Sequence, residues 1–304
     1  MTDRWKRRLK WVAAMSAIAI ALGLGVSYWI AGRLVAACPQ DIGVPPPDFP
    51  CIDWRLTRTD HSENTTRQTP VQSIAGWRMT SKADRGNVLL LHGIRGNRTS
   101  MQARAKFLRR AGWGVYLIDL PSHGESDGDQ ITLGFDESKA VADCVTEIRR
   151  LHPGQSLAVI GVSLGGASFL LSDADPVDAV ILESVYSTVD RAIDNRVSGQ
   201  IGFLSPLPSW LLKIQIPLRL KIARQSLRPI DRASRLRCPV FWMGGKDDVH
   251  TTPVEVRAMY DATSRVDPPA KQLWLVPGAG HVDLHQHDPR GYERRVLRFL
   301  DEHL

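Results

Sequence analysis

VIGVSLGGAS, residues 159–168, sets one serine among three glycines directly after an apolar run. Residues 157–160 read as a short buried strand, and residues 167–171 can open a helix. The chain must therefore reverse within a few residues. Gly161 and Gly165 flank Ser163 two residues away on either side, giving the spacing G-x-S-x-G. In such an elbow the serine backbone is strained and its Oγ stands exposed, while glycines let strand and helix approach closely. The same spacing also suits a plain strand-to-helix turn with a polar tip, so the surrounding chain has to decide.

Outward from this stretch the chain has a rhythm. Strands are expected at 73–79, 87–91, 113–120, 157–162, 179–183, 240–243 and 271–276. Helices are expected at 99–110, 136–151, 253–264 and 291–303, with apolar residues three and four apart, as at Val141, Cys144, Val145 and Ile148. Apolar strands alternating with helices predict a doubly wound, mostly parallel α/β sheet covered on both faces. Residues 184 to about 235 break the rhythm with a mixture of apolar, basic and proline residues. Between two sheet strands this insertion predicts a small helical cap over the strand C-termini, where ligands bind in open α/β folds. A basic amphipathic stretch of this kind also suits contact with a bilayer.

A serine hydroxyl is a weak nucleophile at neutral pH. It needs a base, an acid that orients the base, and N–H donors for the oxyanion. His281, in VPGAGHVDL, follows the last strand after a glycine-rich turn and is the candidate base; His285 and His287 lack that setting and are expected to face solvent. The candidate acids are Asp247 and Asp248 in MGGKDDVHTTP, with spacing from Gly245 favouring Asp248, and Glu183 at the end of the preceding strand as a third. In NVLLLHGIRGNRTS the N–H of Ile94 is one candidate oxyanion donor and that of Leu164 the other. His92 then orders a loop. Asp119, His123 and Ser126, in DLPSHGESDG, are expected to hydrogen-bond locally.

The stretches LLLHGIRGNR, DLPSHGES, GVSLGG, GGKDDVHTT and GAGHVDL, in that order over residues 72–304, resemble the motifs of the α/β-hydrolase fold superfamily. The order Ser163, Asp248, His281 is similar to that of its catalytic residues. The resemblance implies a nucleophile at Ser163, a base at His281, an acid at Asp248 and oxyanion donors at Ile94 and Leu164, with no cofactor and no metal. It does not choose among lipases, esterases, thioesterases, acylglycerol hydrolases and serine aminopeptidases. The basic cap favours an ester or thioester, with a lipid-like acyl substrate suggested by Leu204, Leu207, Trp210, Leu211 and Leu212. The alternatives are a serine peptidase and a catalytically silent binding protein on the same fold.

The net charge of +7 over 304 residues does not point to nucleic acid. Five cations and one acid lie within residues 1–10, which leaves only +3 for the rest of the chain, without clusters. Residues 11–31 carry no charge, and as a helix their 21 residues span roughly 30 Å of hydrocarbon. The basic flank before them predicts an N-terminus in the cytoplasm and a catalytic domain on the exported side. An uncleaved signal anchor is the expectation, with a cleaved signal peptide as its competitor. Residues 32–71 read as a juxtamembrane linker, stiffened by Pro45, Pro46 and Pro47, with glycosylation-type triplets at Asn64 and, beyond it, at Asn97. Cys38 and Cys51 bracket its proline-rich part, a spacing compatible with a disulfide in an oxidising compartment or with two free thiols.

Overall fold

The computed structural model describes residues 3–58, 72–80, 83, 85–281 and 284–304. The polar stretch with the triplet at Asn64 lies outside the described residues. A long helix, α1 (Asp3–Val35), leads into a two-residue strand, β1 (Cys38–Pro39), and then into β2 (Ile52–Arg58), β3 (Gln72–Met79) and β4 (Asn87–Leu91). Helix α2 (Gln102–Arg110), β5 (Gly114–Ile118), the short β6 (His123–Gly124), α3 (Phe135–Leu151) and β7 (Leu157–Val162) follow. Next come α4 (Leu164–Leu171) and β8 (Ala179–Glu183), then α5 (Val189–Ile201), α6 (Pro206–Leu220) and α7 (Pro229–Ala233). The chain ends with β9 (Val240–Gly245), α8 (Pro253–Ala262), β10 (Lys271–Val276), α9 (Leu284–His287) and α10 (Pro289–His303).

Eight strands form one sheet in the order β10-β9-β8-β7-β4-β5-β3-β2. The six strands from β10 to β5 run parallel; β3 joins β5 antiparallel and β2 joins β3 antiparallel. Strands buried on both faces are mostly apolar, and NVLLL, GVYLI and LAVIGV are buried at every position. Alternate residues feed opposite cores. Leu89, Leu91 and Val159 pack under α3, α4 and α8, whereas Val88, Leu90 and Ile160 pack under α2 and α10. From the neighbouring strands β4 and β7 the chain winds outward in opposite directions, so a crevice opens between their C-terminal ends. Leu91, the last residue of β4, is in register with Gly161 in β7, which places Ser163 beside the loop after β4.

The segment read as a linker is instead built into the domain. Helix α1 continues to Val35, the Ile131 N–H donates to Val35 O at 2.8 Å, and Cys38 on β1 is in register with His123 on β6. Strand β2 then closes the sheet edge against β3, so the fold begins some twenty residues earlier than its motifs suggest. The expectation missed β2 because IDWRLTR mixes charges with apolar residues, as an edge strand facing solvent does. Trp54 on that strand is buried, edge-on to Tyr116.

Of the two arrangements the sequence leaves open for Cys38 and Cys51, the structure has the two free thiols. Cys38 is held in its bridge by its N–H, which donates to Ser122 O at 2.7 Å. Cys51 packs instead against the core beneath Phe49. Burial and the neighbouring Asp53 carboxylate push the Cys51 thiol up to about 11, which keeps it protonated and a poor nucleophile for exchange.

Candidate active site

Ser163 has φ +48° and ψ −110°, a conformation that a non-glycine residue adopts only when its surroundings impose it. The surroundings are glycines used for close approach. A Cβ on Gly161 would lie 2.5 Å from Gly166 Cα, and one on Gly165 would lie 2.5 Å from Leu91 O. Strand β7, helix α4 and the end of β4 therefore meet where any side chain would force them apart. Gly93, after β4, has its Cβ position 3.7 Å from Ser163 Cβ, so the loop carrying Ile94 runs alongside the serine. Ser163 is 6% exposed, and its hydroxyl opens on a cavity of about 350 Å³ that His281, Ile94 and Leu164 also line.

His281 is fixed from behind. Its Nδ1 lies 2.8 Å from Asp248 Oδ2; a carboxylate can only accept, so Nδ1 carries the proton and Nε2 is left as the basic nitrogen. Asp248 Oδ1 accepts from the N–H groups of His250 and Thr251, each at 2.8 Å. Burial pushes this carboxyl up, but the bond from His281 and those two N–H groups outweigh it and hold Asp248 below the usual carboxylate range. Its contribution to stability is accordingly present at neutral pH and lost as pH falls through that lowered value. Among the described residues no hydrogen bond joins Ser163 Oγ to the His281 ring, a looseness common before substrate closes such a site. The N–H of Leu164 begins α4 and so has no acceptor within the helix. It and the N–H of Ile94 remain without an acceptor among the described residues. Those donors suit a developing negative charge.

The other two acid candidates are placed elsewhere. Asp247 is exposed on the turn after β9. Glu183 is buried behind β8 and is engaged by Arg104, with Arg104 Nε to Oε1 at 2.9 Å and Nη2 to Oε2 at 2.5 Å, and by the Tyr292 hydroxyl. It does not reach the cavity. Asp248→Asn should lower turnover by about 10³–10⁴-fold through loss of the His281 tautomer. Asp247→Asn should stay within about twofold, as surface changes away from such features do. Steady-state rates on an aryl ester check both; equal losses would overturn the assignment of Asp248.

His92 is fully buried, and burial with His123 beside it pushes the ring down to about 3, so it stays neutral. Its Nε2 accepts from Leu120 N–H at 3.0 Å, tying the loop after β4 to the loop after β5. Asp119 accepts from Glu125 N–H within its own loop at 2.9 Å, as expected, and reaches beyond it to accept from Arg98 N–H at 2.7 Å. His285 differs from expectation: it stacks on Phe107 with centroids 5.7 Å apart and is half-buried beside Tyr292. His250 was not singled out by the sequence beyond its place after the acid, yet it lines the cavity with its ring 5.4 Å from that of His281. Among the described residues no group of three or more His, Cys, Asp or Glu could hold a metal ion.

The eight-stranded sheet, the strained serine after β7 and the cavity over the strand ends define an α/β-hydrolase fold. Residues 88–295 match the model of the alpha/beta hydrolase family, and the chain belongs to that family. It is 23% identical over 237 residues to the Bacillus subtilis protein YqkD, covering 75% of each chain. Its fold is similar to that of the Pyrococcus furiosus esterase Pf2001, with a TM-score of 0.68 at 24% identity, over 87% of this chain and 99% of that one. The monoacylglycerol lipase of Paleococcus ferrophilus is also similar in fold, with a TM-score of 0.53 at 22% identity, over 75% of this chain and 99% of that one.

Proposed function

We propose that the protein is a membrane-anchored serine hydrolase that cleaves carboxylic esters or thioesters through an acyl-enzyme. The observation that carries this reading is a strained serine sharing one cavity with a histidine that a buried aspartate holds by Nδ1. Ser163 Oγ attacks the acyl carbon while its proton passes to His281 Nε2. The resulting oxyanion accepts from the N–H groups of Ile94 and Leu164. The tetrahedral intermediate collapses, the bond to the leaving group breaks, and the leaving oxygen or sulfur takes the proton from His281. Water, deprotonated by His281, then attacks the acyl-enzyme; the ester to Ser163 breaks, and Oγ regains the proton. Asp248 holds the imidazole and stabilises its cation without taking the proton. No step needs a cofactor.

The cavity supports an apolar acyl group. Its lining is mostly aliphatic, including Leu133, Val189, Ile193 and Leu212, and its arginines, Arg196 and Arg219, would repel a substrate ammonium. That favours esters over aminopeptidase substrates. The segment Arg7–Val35 is long and apolar enough to cross a bilayer, with a mean hydropathy of 1.8. We read it as a signal anchor with the basic N-terminus in the cytoplasm and the catalytic domain exported. Ser27 meets Gln215, while Tyr28 and Gly32 meet Arg219, so later residues of α1 meet later residues of α6 and the two helices run in the same sense. The exposed Phe203, Leu204 and Leu207, before and at the start of α6, then lie toward the uncovered part of α1, as a lipid-facing cap requires.

A fluorophosphonate probe tests the reading. The intact protein should be labelled covalently, and Ser163→Ala should abolish labelling. A folded wild type that takes no label would overturn the proposal in favour of a binding protein.

A further inference from the structure

The cavity has a wall that does not belong to the hydrolase sheet or to the cap. Ile30, Ala31, Leu34 and Val35, the last two turns of α1, line the same space as Ser163 and His281. Ala31 is 6% exposed, and Val35 joins the small core of the cap with Val189, Ile216 and Leu220. Upstream of Ser27, α1 is bare: Trp11, Met15, Leu22 and Val26 are all exposed. The helix is therefore divided into a long free part and a short docked part, and the docked part is the part that faces the site.

The docking is specific. Gln215 Nε2 of α6 donates to Ser27 Oγ at 2.5 Å. The Arg219 guanidinium lies over the Tyr28 ring, 3.7 Å from its centroid, and donates to Tyr28 O. Gly32 lets that guanidinium lie close, since a Cβ there would be 3.3 Å from Arg219 Nη1. At the helix end, Arg95 donates to Arg33 O. Arg95 directly follows Ile94, so the C-terminal carbonyls of α1 are tied to the loop that runs beside Ser163. A cation at a helix C-terminus is also favoured by the helix dipole.

From this geometry we infer that the end of α1 forms the acyl-chain wall of the site, and that Ala31 and Leu34 set the length of chain that fits. The substrate class is an ester with a medium or long aliphatic acyl group, whose far end lies against α1 while its carbonyl meets Ser163. This rests on the acyl-hydrolase reading above. Methylenes buried against such a wall strengthen binding, and a bulkier wall residue excludes the chain that reaches it without touching a short one.

The test compares kcat/KM for p-nitrophenyl butyrate and p-nitrophenyl decanoate, with the full chain in one detergent. Ala31→Phe should lower the decanoate value about tenfold or more and leave butyrate within about twofold. Leu34→Ala, which opens the wall, should shift the decanoate-to-butyrate ratio the other way. Fluorophosphonate labelling of each variant reports that the site is assembled; if Ala31→Phe loses label, Leu34→Ala decides. Labelled variants with an unchanged ratio would overturn the wall while leaving the hydrolase intact. A wild type that takes neither label nor ester would overturn the hydrolase reading itself, and the wall with it.

Discussion

His281→Ala should lower ester turnover by about 10⁴–10⁶-fold, and adding Ser163→Ala should lower it little further. In the proposed mechanism the two side chains act as one device. Without the imidazole, the Ser163 hydroxyl keeps its proton and is a weak nucleophile; without the hydroxyl, the imidazole has nothing to activate. On that mechanism, residual rates in both variants would come from the cavity and from the proposed oxyanion donors, the N–H groups of Ile94 and Leu164, which neither change removes. Burst-phase and steady-state kinetics on an aryl ester measure this, with circular dichroism as the check on folding. Losses that multiply in the double variant would mean that the residues act independently, and the covalent mechanism would fail.

Arg104→Ala should destabilise the fold by about 3–5 kcal/mol, because it leaves the Glu183 carboxylate buried without its partner. Both side chains lie almost wholly out of solvent, at 7% and 0% exposure. For a domain of this size the melting temperature should fall by roughly 6–20 °C. Burial opposes the Arg104 charge, but Glu183 and Tyr292 outweigh it and raise its affinity for the proton. A raised value for a cation means that its stabilising contribution is lost only in strong alkali, so the deficit should not shrink between pH 7 and 9. At a temperature where the variant is folded, its ester turnover should remain within about threefold of wild type, since the pair stands behind the sheet. A collapse of activity without a loss of stability would return Glu183 to the site.

Much of this was legible in the sequence because buried parallel strands and tight elbows leave little choice of residue. Continuous apolar runs at 88–91 and 157–162 marked the centre of the sheet, and the glycines about Ser163 marked the approach of β7, α4 and β4. Spacing from Gly245 and the family resemblance favour Asp248 over Asp247 and Glu183, and in the structure it is Asp248 that lies 2.8 Å from His281 Nδ1. Glu183 looked like a candidate because it ends a strand beside the crevice; that its partner is Arg104, on a helix under the opposite face, has no signature in spacing. The edge strand β2 was hidden by its solvent-facing charges. The docked end of α1 was hidden for another reason. A run of 21 uncharged residues long enough to span a bilayer carries nothing that marks where its last turns dock on the protein.

That continuity bears on how the domain would be produced for study. Shortening the gene to begin after the apolar helix is the usual route to a soluble sample of an anchored enzyme. Here it would strip Ala31, Leu34 and Val35 from the cavity, expose Ile216 and Leu220 beneath them, and free Arg95 next to Ile94. The clipped sample would be a differently shaped catalyst with a gap in its side, and inhibitors fitted to it would be fitted to a surface the intact protein does not have.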